Sequence, residues 1–273
     1  MKNNIYKLFI AILAIGFMAS CTEEWGTQPG NDPSPVVTIY SNPIPATADP
    51  DATINLRFVP NSQCSKFYVL IETKADKDAF IASNGEAAYA ERVVANGTQY
   101  TSEITDILDE TLANVYAITV VGVTANGAKG KPNEFIFNGI HWELVGTALY
   151  YDASFNLVNY EPAEWYKSTN TDPVRYKLSV TMSTWGNYER VMKLSWNTTT
   201  GALTFYNGTQ SPRAGYWMFP TPFTHATYGA YSQEIDLDPD YSYYDNGEIV
   251  MDTRRVVSAG TFAGWYPVHI ILP

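Results

Sequence analysis

Trp185, Tyr188, Tyr216, Trp217, Tyr243, Tyr244 and Trp265 lie in segments rich in Gly, Asn, Asp, Arg and Pro. Flat rings beside short polar side chains suit one kind of chemistry well. The rings stack on apolar C–H faces of a sugar, and the polar neighbours hydrogen-bond its hydroxyls. Trp185-Gly186-Asn187-Tyr188-Glu189-Arg190, Gly215-Tyr216-Trp217-Met218-Phe219 and Tyr241-Ser242-Tyr243-Tyr244-Asp245-Asn246-Gly247 are the clusters, with Trp265-Tyr266 after Gly264. The competing use of such rings is the filling of β cores and cross-strand pairs.

Other chemistry finds thinner support. Asp236, Asp238 and Asp240 alternate like the opening of a calcium loop. That loop needs Gly at its sixth position and Glu at its twelfth; Tyr241 and Gly247 stand there, so an acidic turn is the expectation and no metal is assigned. His141, His225 and His269 lack metal-ligand spacing. There is no Gly-x-Ser-x-Gly elbow and no phosphate-binding Gly-rich loop, so no cofactor is implied and a non-catalytic role is expected. A glycosidase needs only two carboxylates gathered by the fold. Glu161, Glu164 and Asp172 are candidates that sequence cannot rank.

The elements that must carry these residues begin after a leader. Lys2 and Lys7, the apolar run Leu8–Met18 and the small pair Ala19-Ser20 read as a signal peptide, 1–20. The run is too short for a membrane span, which takes about 20 residues. Without the leader the net charge is about −13, because Lys+Arg falls from 17 to 15 while Asp+Glu stays at 28. That balance argues against nucleic acid as a partner. Residues 21–35 have tether composition. Cys64, in a polar connector with no basic neighbour to activate it, is expected to be a passive thiol.

Two all-β domains follow, expected as tandem β-sandwiches over 36–139 and 140–273. In the first, Ile54, Leu56 and Phe58 alternate with polar residues, as do Phe67, Val69 and Ile71, and then Tyr116, Ile118 and Val120. About seven strands are expected there. Lys74–Arg92 is read as a short helix or an irregular crossover. The second domain holds 25 aromatics in 133 residues against 11 in the preceding 120. Its strand signals include Tyr176–Val180, Met192–Trp196 and Ala202–Tyr206.

Three resemblances add to this. Ala19-Ser20-Cys21 resembles a bacterial lipobox, with Cys21 the lipidated first residue, and Thr22-Glu23-Glu24 resembles the surface-export signal of Bacteroidetes lipoproteins. This implies an outer membrane protein held by its lipid and facing outward. Leu112 to Val120 resembles the Leu…Tyr strand of fibronectin type III domains, with Tyr116 as a corner tyrosine and Phe58 in place of the usual Trp. Trp142 to Asp152 resembles the opening of β-rich domains in Bacteroidetes surface lipoproteins. The expectation is a surface lipoprotein that binds polysaccharide, or alternatively a surface protein partner.

Overall fold

The computed structural model describes residues 33–183 and 186–273. Cys21 and the leader lie outside the described residues. Among the described residues the chain is all-β apart from two helices and a short 3-10 turn. It divides between Gly139 and Ile140 into two compact units.

Among the described residues the first unit has seven strands in two sheets. β1 (Val37–Ser41), β2 (Ile54–Pro60) and β5 (Thr105–Asp109) form one, in that order. The other runs β4 (Thr98–Thr101), β3 (Lys66–Thr73), β6 (Val115–Val123), β7 (Asn133–Asn138). Leu56, Phe58, Phe67, Val69, Ile118 and Val120 form the core between them. Phe58 is fully buried and stacks on Phe67 at 6.2 Å. Tyr116 packs against this core, but its hydroxyl makes no hydrogen bond among the described residues, so the bonded tyrosine corner is not formed. Cys64 is buried; its Sγ approaches the carbonyl of Val36 at 3.4 Å, and burial raises its pKa.

Lys74–Arg92 is more than a crossover. It belongs to two helices, α1 (Lys74–Asn84) and α2 (Glu86–Asn96), inserted between β3 and β4. Thr73 caps α1 by accepting from the Asp76 amide, and Gly85, at φ 79°, separates the helices. Tyr89 and Val93 cover Leu70, Val121 and Val123 on the outer face of the sheet. This explains why β6 is buried along most of its length and does not alternate. Tyr89 donates to buried Glu72 at 2.7 Å, and Arg92 pairs with the same carboxylate.

The second unit is one antiparallel sheet of 12 strands. Five strands come first: β8 (Trp142–Asp152), β9 (Glu161–Ser168), β10 (Tyr176–Met182), β11 (Tyr188–Trp196) and β12 (Leu203–Phe205). Then follow β13 (Thr209–Gln210), β14 (Tyr216–His225), β15 (Gly229–Asp236), β16 (Tyr243–Asp245), β17 (Glu248–Val257), β18 (Gly260–Thr261) and β19 (Tyr266–Ile271). The main path is β12-β11-β10-β9-β8-β19-β17-β15-β14-β13, with β16 and β18 both on β17. Along this path the strands follow chain order, stepping over only the side strands β16 and β18, except where β8 and β19, the first and last strands, pair through Leu149–Asp152 and Val268–Ile271. The strands expected to form two sheets are therefore joined in one. It curls until its arms face each other across a core containing Tyr150, Trp165, Leu178, Met192, Ile235 and Ile270.

The gap lies between β12 and β13, and Asn207 spans it. Its Nδ2 donates to the carbonyl of Val191 at 2.9 Å, its Oδ1 accepts from the amide of Lys193 at 2.6 Å, and its carbonyl accepts from Trp217 Nε1 at 2.6 Å. One residue thus ties β11 to β14, with Phe205 edge-on to Phe219 at 5.3 Å beneath it.

Candidate functional site

Alternation along β14, β15 and β17 decides which side chains enter the curl. On β15, Gln233 is directly opposite Phe219 of β14 and Arg255 of β17. Opposed residues share a face, so these three project inward together. Gln233 is 1% exposed. Its Nε2 lies 3.0 Å from Asp152 Oδ2, 2.8 Å from Ser154 Oγ and 3.0 Å from Thr253 Oγ1, three acceptors that share its two protons. Both hydroxyls spend their own protons elsewhere, Ser154 on Asp152 Oδ1 and Thr253 on the Tyr266 carbonyl. Facing a carboxylate and two committed hydroxyls, this end of the amide must be the NH₂. Gln233 Oε1 is then left as a buried acceptor without a partner.

Asp152 is fully buried and anchors the polar cluster. Arg190 NH1 reaches its Oδ2 at 3.0 Å and the Tyr150 hydroxyl at 2.9 Å, while Tyr150 donates to Asp152 at 2.7 Å. Burial, reinforced by Asp152 and opposed by Arg190, holds the Tyr150 phenol well above its usual range. The Arg190 guanidinium lies within 5.9 Å of the ring centres of Tyr150, Phe155 and Phe219.

Beside this cluster is a half-open cavity of about 130 Å³. Phe155, Phe223 and Tyr231 give it apolar walls; Ser154, Thr221, Ser232, Gln233 and Arg255 supply the polar lining. Tyr231 also stacks on Phe262 at 5.8 Å and 26°. Phe262 meets Tyr228 edge-on at 6.2 Å, and Tyr228 stacks on His225 at 4.5 Å. Tyr228 and Phe262 are 44% and 36% exposed, and they line a second cleft of about 210 Å³. His225 Nδ1 accepts the amides of Thr227 and Tyr228, which fixes the turn carrying these rings.

The rings expected from sequence are distributed differently. Trp185 lies outside the described residues. Tyr188 is half-buried, edge-on to Phe223 at 5.8 Å, with its hydroxyl 3.4 Å from the Pro220 carbonyl. Trp217 is the latch to Asn207. Tyr244 ends a ladder of stacked rings: Tyr244 on Trp196 at 4.3 Å, Trp196 on Tyr176 at 4.3 Å, Tyr176 on buried Trp165 at 5.4 Å. These three rings serve packing, since alternation turns them inward. Tyr243 is half-buried beside them on β16. Tyr216 and Trp265 stack at 5.9 Å on the outer face, with Arg254 over both rings and paired to Glu234.

Asp236 and Asp238 accept amides of their own turn, from Asp238 and Asp240. Among the described residues no three His, Cys, Asp or Glu gather in a way that could hold a metal. Glu164 accepts from the Tyr166 hydroxyl, and Glu161 from Ser183. Glu161 and Glu164, three apart on β9, take opposite faces. The cavity lining contains no carboxylate.

Sequence reading overlooked Tyr228, Tyr231 and Phe262, and weighed His225 only as a metal ligand. The available signal was the hairpin Phe223-Thr224-His225-Ala226-Thr227-Tyr228-Gly229-Ala230-Tyr231, whose Gly229 at φ 80° marks the turn. Fold and site together define an all-β protein whose second unit is a curled sheet with a ring-lined mouth. Comparison with protein-family models, curated proteins and solved structures finds no match to this chain.

Proposed function

We propose that this is a lipid-anchored surface protein that binds glycan without chemistry through its second unit. The observation that carries the reading is the set of half-exposed rings, Tyr228, Tyr231 and Phe262, beside two adjoining clefts with polar lining. Mouths of curled sheets with apolar walls and a few fixed polar groups are common ligand sites. Anchoring through Cys21, export to the outer face of the outer membrane and Bacteroidetes origin rest on the leader and Thr22-Glu23-Glu24. We read the first unit as a fibronectin type III-like sandwich that serves as a spacer. Its seven strands, three and four to a sheet, support that reading, while the helix pair and the unbonded Tyr116 depart from it.

A protein partner is the second reading. Leu149 and Ile271 face each other across the β8–β19 pair, 43% and 38% exposed, with Leu144 and Val145 further along β8. Retention of the chain in native gels cast with a panel of polysaccharides separates the two. Glycan binding at the mouth predicts retardation that is lost in Tyr231→Ala/Phe262→Ala and kept in Tyr216→Ala/Trp265→Ala. The reverse pattern moves the site to the outer face. Free migration in every gel refutes glycan binding.

A further inference from the structure

We infer that the cavity behind the rings accepts the acetamido group of an N-acetylated sugar. This rests on the glycan reading and names the substituent that the same site selects.

Two residues of the lining each carry a buried atom without a hydrogen-bond partner: Gln233 with Oε1, an acceptor, and Arg255 with Nε, a donor. The two atoms belong to directly opposed residues of β15 and β17 on the inner face. Buried polar atoms without partners are uncommon and costly, and a ligand that completes both gains what the free protein forgoes. The remaining walls are Phe155, Phe223 and Tyr231.

The occupant must therefore offer one N–H or O–H donor, one acceptor and an apolar end. A carboxylate would satisfy Arg255 but set a second acceptor against Gln233 Oε1. An ammonium would fail in the opposite sense. A sugar hydroxyl supplies both polar functions on one atom and leaves the apolar walls unfilled. A secondary amide bearing a methyl group supplies all three: N–H to Gln233, C=O to Arg255, methyl to the rings of Phe155 and Phe223. At about 130 Å³ the cavity is also well below the size of sites that enclose a whole ligand, so it takes a substituent. The pyranose ring would stay outside, against the Tyr231–Phe262 pair.

The test is calorimetric titration of the full chain with chitotetraose and cellotetraose. They share a β-1,4 backbone and differ in carrying acetamido or hydroxyl at C2. The inference predicts that chitotetraose binds at least about tenfold more tightly. Arg255→Met removes the donor, and its folding is checked by tryptophan fluorescence. The ratio of the two affinities should then fall to within about threefold, since one of two hydrogen bonds and its geometry are lost. Equal affinities in the parent chain overturn the acetamido assignment and leave glycan binding standing. A ratio unchanged in Arg255→Met also overturns it. Binding of neither sugar overturns the acetamido assignment and leaves the glycan reading to the polysaccharide gels. Binding of an Nε-acetyl-lysine peptide with neither sugar bound assigns the cavity to a protein partner and likewise overturns the N-acetylated-sugar assignment.

Discussion

Replacing Arg190 with Met tests whether the buried charge cluster holds the curled sheet together. Arg190 and Asp152 are 4% and 0% exposed, so neither charge is solvated by water. In Arg190→Met the Asp152 carboxylate keeps its donors from Tyr150, Ser154 and Gln233 but loses its counter-charge. Breaking a buried pair from one side costs about 3–5 kcal/mol. The offset is that Arg190 Nε and NH2 have no hydrogen-bond partner. Because the guanidinium lies near three rings, that relief is set at about 1 kcal/mol. The net expectation is a loss of about 2–4 kcal/mol. Asp152→Asn/Arg190→Met removes both charges; the amide oxygen keeps the Ser154 donors, and the amide NH₂ stands where Oδ2 was, with the Tyr150 hydroxyl turned to accept from it. It should recover about 1–2 kcal/mol relative to the single variant. Urea unfolding followed by tryptophan fluorescence reads this unit selectively, since six of the 7 tryptophans lie at or beyond Trp142 and residues 33–139 contain none. With a slope of about 2 kcal/mol per M, the single variant should unfold about 1–2 M earlier. A midpoint within about 0.3 M of the parent would refute the reasoning, as would a double variant no more stable than the single one.

Two further outcomes concern stability. Burial raises the phenol pKa values of Tyr150, Tyr89 and Tyr188, so each is held neutral in the folded chain. The stability they contribute is complete below the unfolded value of about 10 and is lost as pH rises beyond it toward the raised folded values. Melting temperature should decline above about pH 10, together with a late phase of phenolate absorbance; ionisation of all 20 tyrosines near pH 10 with structure intact would contradict this. Gly208, at φ 90°, has no room for a side chain, because a Cβ would lie 2.7 Å from the Met218 carbonyl and 2.8 Å from Trp217 Nε1. Gly208→Ala should cost about 1–3 kcal/mol through strain and the loosened Trp217–Asn207 bond, measured by the same urea titration; an unchanged midpoint would show that the latch is dispensable.

Local pattern carried some elements further than others. Ile54, Leu56 and Phe58 alternate with polar residues because the outer face of β2 meets water, and that strand is readable directly. β6 is apolar on both faces because α2 covers one of them, yet α1 and α2 announce themselves poorly. Their Ala, Glu and Lys residues suit an exposed helix, and only Tyr89 and Val93 are buried. In the second unit the individual strands are legible, but one curled sheet and two packed sheets share the same in-and-out alternation. The deciding contact, β8 with β19, joins residues more than a hundred positions apart. Ring exposure is equally hidden: Trp217 and Phe262 each stand two residues after a Gly, and only the parity of β14 sends Trp217 inward.

Because β8 pairs with β19 and β12 is followed in the chain by β13, the strands of the second unit repeat in a cycle. A cycle has no privileged starting point. A rearranged chain that began at Gly208, ran to Pro273, continued through a short linker into Ile140 and ended at Asn207 would contain every ladder of the present sheet. It would also keep both side-chain bonds of Asn207 to β11, now made by a chain terminus. What the natural order adds is the covalent step from Asn207 to Thr209 across the gap. Circular permutation at that step would separate what the peptide bond contributes to closing the sheet from what Asn207 contributes.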